Sequence, residues 1–270
     1  MIRYVRALVR GRGLVGAAIV VALTAVGLLG PFLTPFDPTQ PSSNFLARPG
    51  STHPLGTDEI GRDLLSRVVH GIRVDLLLAL VAVPVGAVIG TTVGLLASSH
   101  PAADVVAQRI FDVFFAFPGF FIALAIATAL TPGVTAIALT IIVFAIPGFG
   151  RMTRNQVLLF RGREYVVASR LVGARPFRLL FKHVLPNAAD PLVVQLALLM
   201  SFAVFIEGGL SFVGFGVQAP QPSLGGLLQR SLPFLATNLN YALSAIVPIT
   251  ALTVGFNLIG DAMNRALLRT

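Results

Sequence analysis

Long apolar runs separated by short polar breaks dominate this chain. A bilayer's hydrocarbon core is about 30 Å thick and needs about 20 residues of helix to cross it. Six runs meet or approach that length: Leu14–Leu33, Leu76–Ala97, Ile110–Leu130, Val134–Phe149, Pro191–Phe212 and Tyr241–Ile259. The fourth is short and is expected to continue to about Asn155. The pattern predicts an all-α polytopic membrane protein with six transmembrane helices.

Between these runs the basic residues are distributed unevenly. Arg3, Arg6, Arg10 and Arg12 precede the first run, and eight of the 20 Lys and Arg residues lie between Arg151 and Lys182. With six crossings, the amino end and the segments 98–109, 151–190 and 260–270 share one side, which carries fifteen of the basic residues. The other side carries Arg48, Arg62, Arg67, Arg73 and Arg230. By the positive-inside rule the arginine-rich side is cytoplasmic, and so are both termini. Five or seven crossings would spoil that asymmetry. The first run follows arginines as a secretory signal does, but it is long for a signal core. No A-x-A site follows it in PFLTPFDPTQP, so it is expected to stay as an anchor.

On the outer side, Thr34–Ser51 is rich in Pro and Ser and predicts an extended linker. Residues Asp58–His70 place Ile60, Leu64, Leu65, Val68 and Val69 at helical spacing, which predicts a short amphipathic helix on the outer surface. Within the second run, Gly86, Gly90 and Gly94 share one helix face and allow close helix approach. Packing inside this subunit is the preferred reading over a subunit interface. Pro84, Pro118, Pro147 and Pro248 each remove a backbone donor and can kink their helices.

Composition sharpens the class. Hydrophobic residues make up 55% of the 270 and charged ones 11%, with a mean hydropathy of +0.85. The net charge of +9 does not indicate nucleic acid, because the arginines sit at the ends of apolar runs rather than along one polar face. No cysteine is present, so disulfides, thiolate metal sites and cysteine nucleophiles are excluded. His53, His70, His100 and His183 are scattered without ligand spacing. No Gly-x4-Gly-Lys-Ser/Thr loop and no nucleophile–base set occurs.

The most informative segment is Tyr165–Pro186. Val167, Leu171 and Val172 share one helical side, Gly173 permits a turn, and Pro176 suits the first position of a second helix. Phe177, Leu180 and Phe181 give that second helix an apolar face flanked by Arg175, Arg178 and Lys182. Leu185-Pro186 is expected to end it before the next span. An inside-positive loop explains the arginines. It leaves the exposed phenylalanines unexplained, because these need a protein or lipid surface to cover them.

Ala168-Ser169, Gly173 after three intervening residues, and Leu185-Pro186 beyond a further gap resemble the cytoplasmic "EAA" motif of ABC importer permeases. Val167 stands at the leading glutamate of that motif and His183 at its isoleucine. Three more segments are similar to the dipeptide/oligopeptide/nickel branch, in its C-type subunit. They are HPLGTDEIGRDLLSR (His53–Arg67), LSFVGFGVQAPQPSLGGLL (Leu210–Leu228), in which Leu224 replaces the usual tryptophan, and FNLIGDAMNRAL (Phe256–Leu267).

The resemblance implies a type I ABC importer permease of MetI-like fold, non-catalytic itself, with a cytoplasmic coupling helix. Residues 1–72 would form an amino-terminal arm, first transmembrane helix and extracytoplasmic segment. Residues 73–270 would form a five-helix permease core with the EAA-like loop at 151–190. Ala168, Ser169, Gly173, Ala174, Pro176, Phe177, Leu185 and Pro186 would couple the chain to its ATPases. The expected partners are a related B-type permease subunit forming a heterodimer, two ATPase subunits or domains, an extracytoplasmic substrate-binding protein and membrane lipid, with no nucleic acid. No cofactor is expected in this chain and no metal site; ATP-Mg would sit in the partner subunits. The expected location is a bacterial inner membrane, and the expected cargo dipeptides or oligopeptides, with nickel or another small solute as the alternative.

Glu207 is the sharpest polar feature within a run, and an intramembrane acid marks either a translocation pathway or a structural pair. A pair with an arginine or the backbone, helped by Gly208 and Gly209, is the preferred reading. Arg109 and Asp112 are spaced for an interfacial ion pair, and Asp261 at the last run's inner end is expected to be paired or snorkelling. A stand-alone channel or secondary transporter is the competing class. It predicts intramembrane ion sites and inverted repeats, and no repeat is evident.

Overall fold

Helix α1 (Arg12–Leu33) opens the fold, and a stretch without regular structure leads from it to α2 (Leu64–Leu77). The chain is described from a computed structural model covering residues 7–9, 11–161, 163 and 185–268. Helix α2 continues through a π-helical turn (Leu78–Ala82) into α3 (Val83–Ala97). Then come α4 (Pro101–Ala116), α5 (Gly119–Ala129), α6 (Val134–Arg161), α7 (Leu185–Phe212), α8 (Leu224–Ser231) and α9 (Leu239–Leu268). Among the described residues, five helices are long and apolar enough to cross a membrane, and the bent pair α4–α5 counts as a sixth if it is one span. The fold is all-α.

The bend in the third span follows from its sequence. Pro118 keeps Phe117 extended, at φ −103° and ψ 142°, and lacks the N–H that would continue the helix. Helix α5 therefore leaves α4 at 94°. Pro147 and Pro248 lie inside α6 and α9 without ending them, and Pro84 sits in the first turn of α3.

Small residues set how closely the spans approach. A Cβ on Gly86 would lie 2.6 Å from Ala145 Cβ, and one on Gly90 would lie 2.5 Å from the Ile146 carbonyl oxygen. Gly94 rests against Gly150 in the same way. The glycine face of α3 is thus packed against α6 of this same subunit, as expected. Helix α1 lies against α9 through Gly16 and Gly255, and against α2 through Gly27 and Gly30. Two apolar clusters hold the remaining helices. Leu64, Val68, Ile72, Leu76, Val204, Leu227, Tyr241 and Leu252 join α2 to α7, α8 and α9. Leu78, Val83, Ala123, Ala127, Ile137, Ile141 and Ile206 join the second span to α5, α6 and α7.

One expectation fails here. Asp58–His70 is not a separate surface helix. Asp58–Asp63 forms a turn, and the helix begins at Leu64 and runs straight into the second span. Asp63 caps it, accepting from the Ser66 N–H at 2.7 Å and from Ser66 Oγ at 2.8 Å. Leu64, Val68 and Val69 are buried, because α1, α8 and α9 cover the face that appeared free from spacing alone. The linker Thr34–Ser51 carries no helix or strand.

Candidate functional site

The segment singled out for coupling, with Ala168, Ser169, Gly173, Ala174, Pro176 and Phe177, lies outside the described residues. Its two flanks are described. Leu185 and Pro186 belong to α7 as described, and the helix that they are expected to close lies outside the described residues. Leu185 packs against the cluster of Ala87, Ala145, Phe149 and Leu192. On the other flank, α6 is braced to α4 by ion pairs. Arg154 grips Asp104 with two parallel bonds, Nε–Oδ1 at 2.6 Å and Nη2–Oδ2 at 2.8 Å. Arg151 bonds Asp112 and lies 4.4 Å from the centre of the Phe115 ring. Both chain ends that enter and leave segment 162–184 are therefore fixed to the bundle.

Arg109 also reaches Asp112, at 3.6 Å, but it is largely exposed, and Arg151 is the closer partner. Asp261 pairs with Arg265 at 3.3 Å.

Glu207 lies on α7 with no exposed surface. Its Oε1 accepts from Ser211 Oγ at 2.7 Å, one turn on. The expected partner is an arginine or the backbone; among the described residues no arginine pairs with it, and a hydroxyl, Ser211 Oγ, donates to it. Its other neighbour is a second acid, Asp75 of α2, also with no exposed surface. Asp75 lies one residue ahead of the apolar run Leu76–Ala97, so hydropathy alone leaves this acid at the margin of the second span. The signal available was its position, eleven residues after Leu64 within one unbroken helix.

Ahead of α2 and into its first turn, the signature His53–Arg67 folds into a tight polar knot. The Asp58 carboxylate accepts from the Ile60 and Arg62 N–H groups and from Arg62 Nε, the last at 2.6 Å. Arg67 Nε stands 3.5 Å from Asp58, and its Nη1 donates to the Pro38 carbonyl at 2.6 Å. His53 Nδ1 is 2.9 Å from Asp63. Gly56 and Gly61, at φ +84° and +82°, turn the chain where the Ala47 and Ser42 carbonyls leave no room for a Cβ. Glu59 ties the knot to the bundle, through Tyr241 of α9 and through Arg230 of α8 at 3.7 Å. Among the described residues no cluster of three metal-ligating side chains occurs.

A family model described as "Binding-protein-dependent transport system inner membrane component" matches residues 82–270. The chain belongs to this family. It is similar to the "Dipeptide transport system permease protein DppC" of Alkalihalophilus pseudofirmus, at 35% identity over 94% of this chain and 84% of that one. It is 35% identical to the "Di/tripeptide transport system permease protein DppC" of Pseudomonas aeruginosa, over 93% of this chain and 86% of the relative. The "Glutathione transport system permease protein GsiD" of Pectobacterium atrosepticum is 32% identical over 92% and 83%. Among solved structures, a chain of the MetNI methionine ABC transporter in an inward-facing conformation superposes with a TM-score of 0.60. That match has 24% identity and covers 74% of this chain and 95% of that chain, and it establishes the fold. This chain is a multi-pass permease subunit of an ABC importer.

Proposed function

We propose that the chain carries dipeptides or oligopeptides through the membrane after an extracytoplasmic binding protein delivers them. The observation that carries this reading is the run of relatives with peptide cargo in their names, each aligned over more than nine-tenths of this chain. ATP is hydrolysed in two partner ATPases, with Mg bound there, and their movement enters this chain through segment 164–186. Ala168, Ser169, Gly173, Ala174, Pro176 and Phe177 dock in the ATPase, and Leu185 and Pro186 pass the motion on. The fixed flanks, Arg154 on Asp104 and Leu185 against the Phe149 cluster, support that role.

A related B-type permease subunit completes the pathway as a heterodimer. Residues 1–72 form an accessory arm and 73–270 the permease core, a division supported by a family match that begins at residue 82. The arginine asymmetry supports cytoplasmic termini and a bacterial inner membrane. Glu207 is a structural residue of the bundle in this reading, since its carboxyl is fully enclosed.

The test is ATP-dependent uptake into proteoliposomes holding both permeases and both ATPases, with the binding protein supplied outside. Labelled dipeptides are expected to accumulate only with ATP and the binding protein. Accumulation of nickel without peptide would overturn the cargo. Peptide movement by this chain alone, without ATP, would overturn the mechanism.

A further inference from the structure

Four carboxylate oxygens meet between α2 and α7, and among the described residues only one has a hydrogen-bond donor. Glu207 Oε1 accepts from Ser211. Ser211 Oγ itself accepts from the Val217 N–H and the Ser223 hydroxyl, each at 3.3 Å, so its own proton is directed to Glu207. Glu207 Oε2 and both oxygens of Asp75 are buried without a donor. Asp75 lies within hydrogen-bonding reach of Glu207, which is the charged group that acts on it.

The cations on the surrounding elements are engaged elsewhere or exposed. On α2, Arg67 serves Asp58 and the Pro38 carbonyl, His70 Nδ1 contacts the Ser66 carbonyl, and Arg73 is exposed. Arg230 of α8 faces Glu59, as does the Tyr241 hydroxyl of α9, and Arg265 of α9 faces Asp261. On α6, Arg151 and Arg154 face Asp112 and Asp104. Arg12 lies at the start of α1, and Asp190 lies four turns and more from Glu207 along α7. The π-helical turn, α3 and α5 carry no titratable side chain.

Two ionised carboxylates enclosed together repel each other, and each has lost its hydration. One proton removes the repulsion and supplies a missing donor. A single O–H···O bond from Asp75 to Glu207, or the reverse, gives partners to two of the three orphaned oxygens.

We propose that Asp75 and Glu207 are a proton-binding site, an acid–carboxylate pair holding one proton between the second and fifth spans. Adjacent to it, the π-helical turn begins three residues after Asp75, a backbone feature that often accompanies functional positions. Parting α2 from α7 would admit water and ionise both acids, so the bound proton favours the closed packing of these helices. The site stands independently of the transported solute.

The test is infrared spectroscopy of the purified full-length chain at neutral pH, in a detergent without ester carbonyls. The expected result is a protonated-carboxyl band that shifts with isotope-labelled aspartate or glutamate and vanishes in the D75N/E207Q double variant. A folded wild-type chain lacking the band, or a band unchanged in the double variant, overturns the proposal. Should the double variant fail to accumulate, transfer of the wild type to heavy water decides. A buried shared proton exchanges slowly, and a band that shifts at once overturns the site.

Discussion

The Tyr241 hydroxyl donates to Glu59 Oε2 at 2.6 Å, joining residues 182 positions apart. One end of this bond is in the loop that precedes the second span, and the other is in the first turns of the last span. Tyr241→Phe deletes the donor while keeping the buried ring. Glu59 retains Arg62 and Arg230 within 3.5 and 3.7 Å, so the expected loss is about 1–2 kcal/mol. Thermal unfolding followed by circular dichroism in detergent measures it, and an unchanged midpoint would show that the bond contributes nothing.

Arg62→Ala should cost more. Asp58 and Arg62 are almost wholly buried, and removing the guanidinium leaves a carboxylate that cannot rehydrate. Breaking such a pair from one side costs about 3–5 kcal/mol, and the lower end is expected because Arg67 remains nearby. Limited proteolysis at residues 34–63 should accelerate sharply. If cleavage is as slow as in the wild type, the knot does not organise this segment.

Glycine-to-alanine changes should split by position. At Gly90 and Gly94 the new methyl meets the backbone of α6, which cannot yield as a flexible side chain does, so losses of about 1–3 kcal/mol are expected. At Gly208 nothing lies within 4 Å, and alanine should be neutral or stabilise α7 by up to about 1 kcal/mol. Equal effects at all three positions would mean that the α3–α6 seam is looser than described.

Gly173→Asp and Phe177→Asp should leave membrane insertion intact and abolish retention of the ATPases in co-purification. Loss of transport should follow with no change in the chain's own melting curve. Normal recovery of the ATPases with both variants would remove segment 164–186 from the coupling role.

Much of this architecture was readable from residues alone. The six apolar runs fall on the five membrane-length helices and the bent pair α4–α5, because burial of a helix in lipid depends on length and hydropathy, which are local quantities. The i, i+4 glycines announced a close-packed face for the same reason. Asp58, Arg62 and Arg67 read as polar residues of an outer surface, yet they are buried. Arg67 donates to the Pro38 and Pro220 carbonyls, partners that spacing does not reveal.

By itself the sequence determined how many times the chain crosses, which residues can touch lipid, and which family's motifs it bears, since each is written in contiguous residues. Only the tertiary structure decided that Pro118 bends its span by 94°, that the glycine face meets α6, and that Asp75 stands against Glu207. Those outcomes join residues up to 132 positions apart, as Asp75 and Glu207 are. Their energies arise from enclosure by several helices at once, a property that no local stretch of chain possesses.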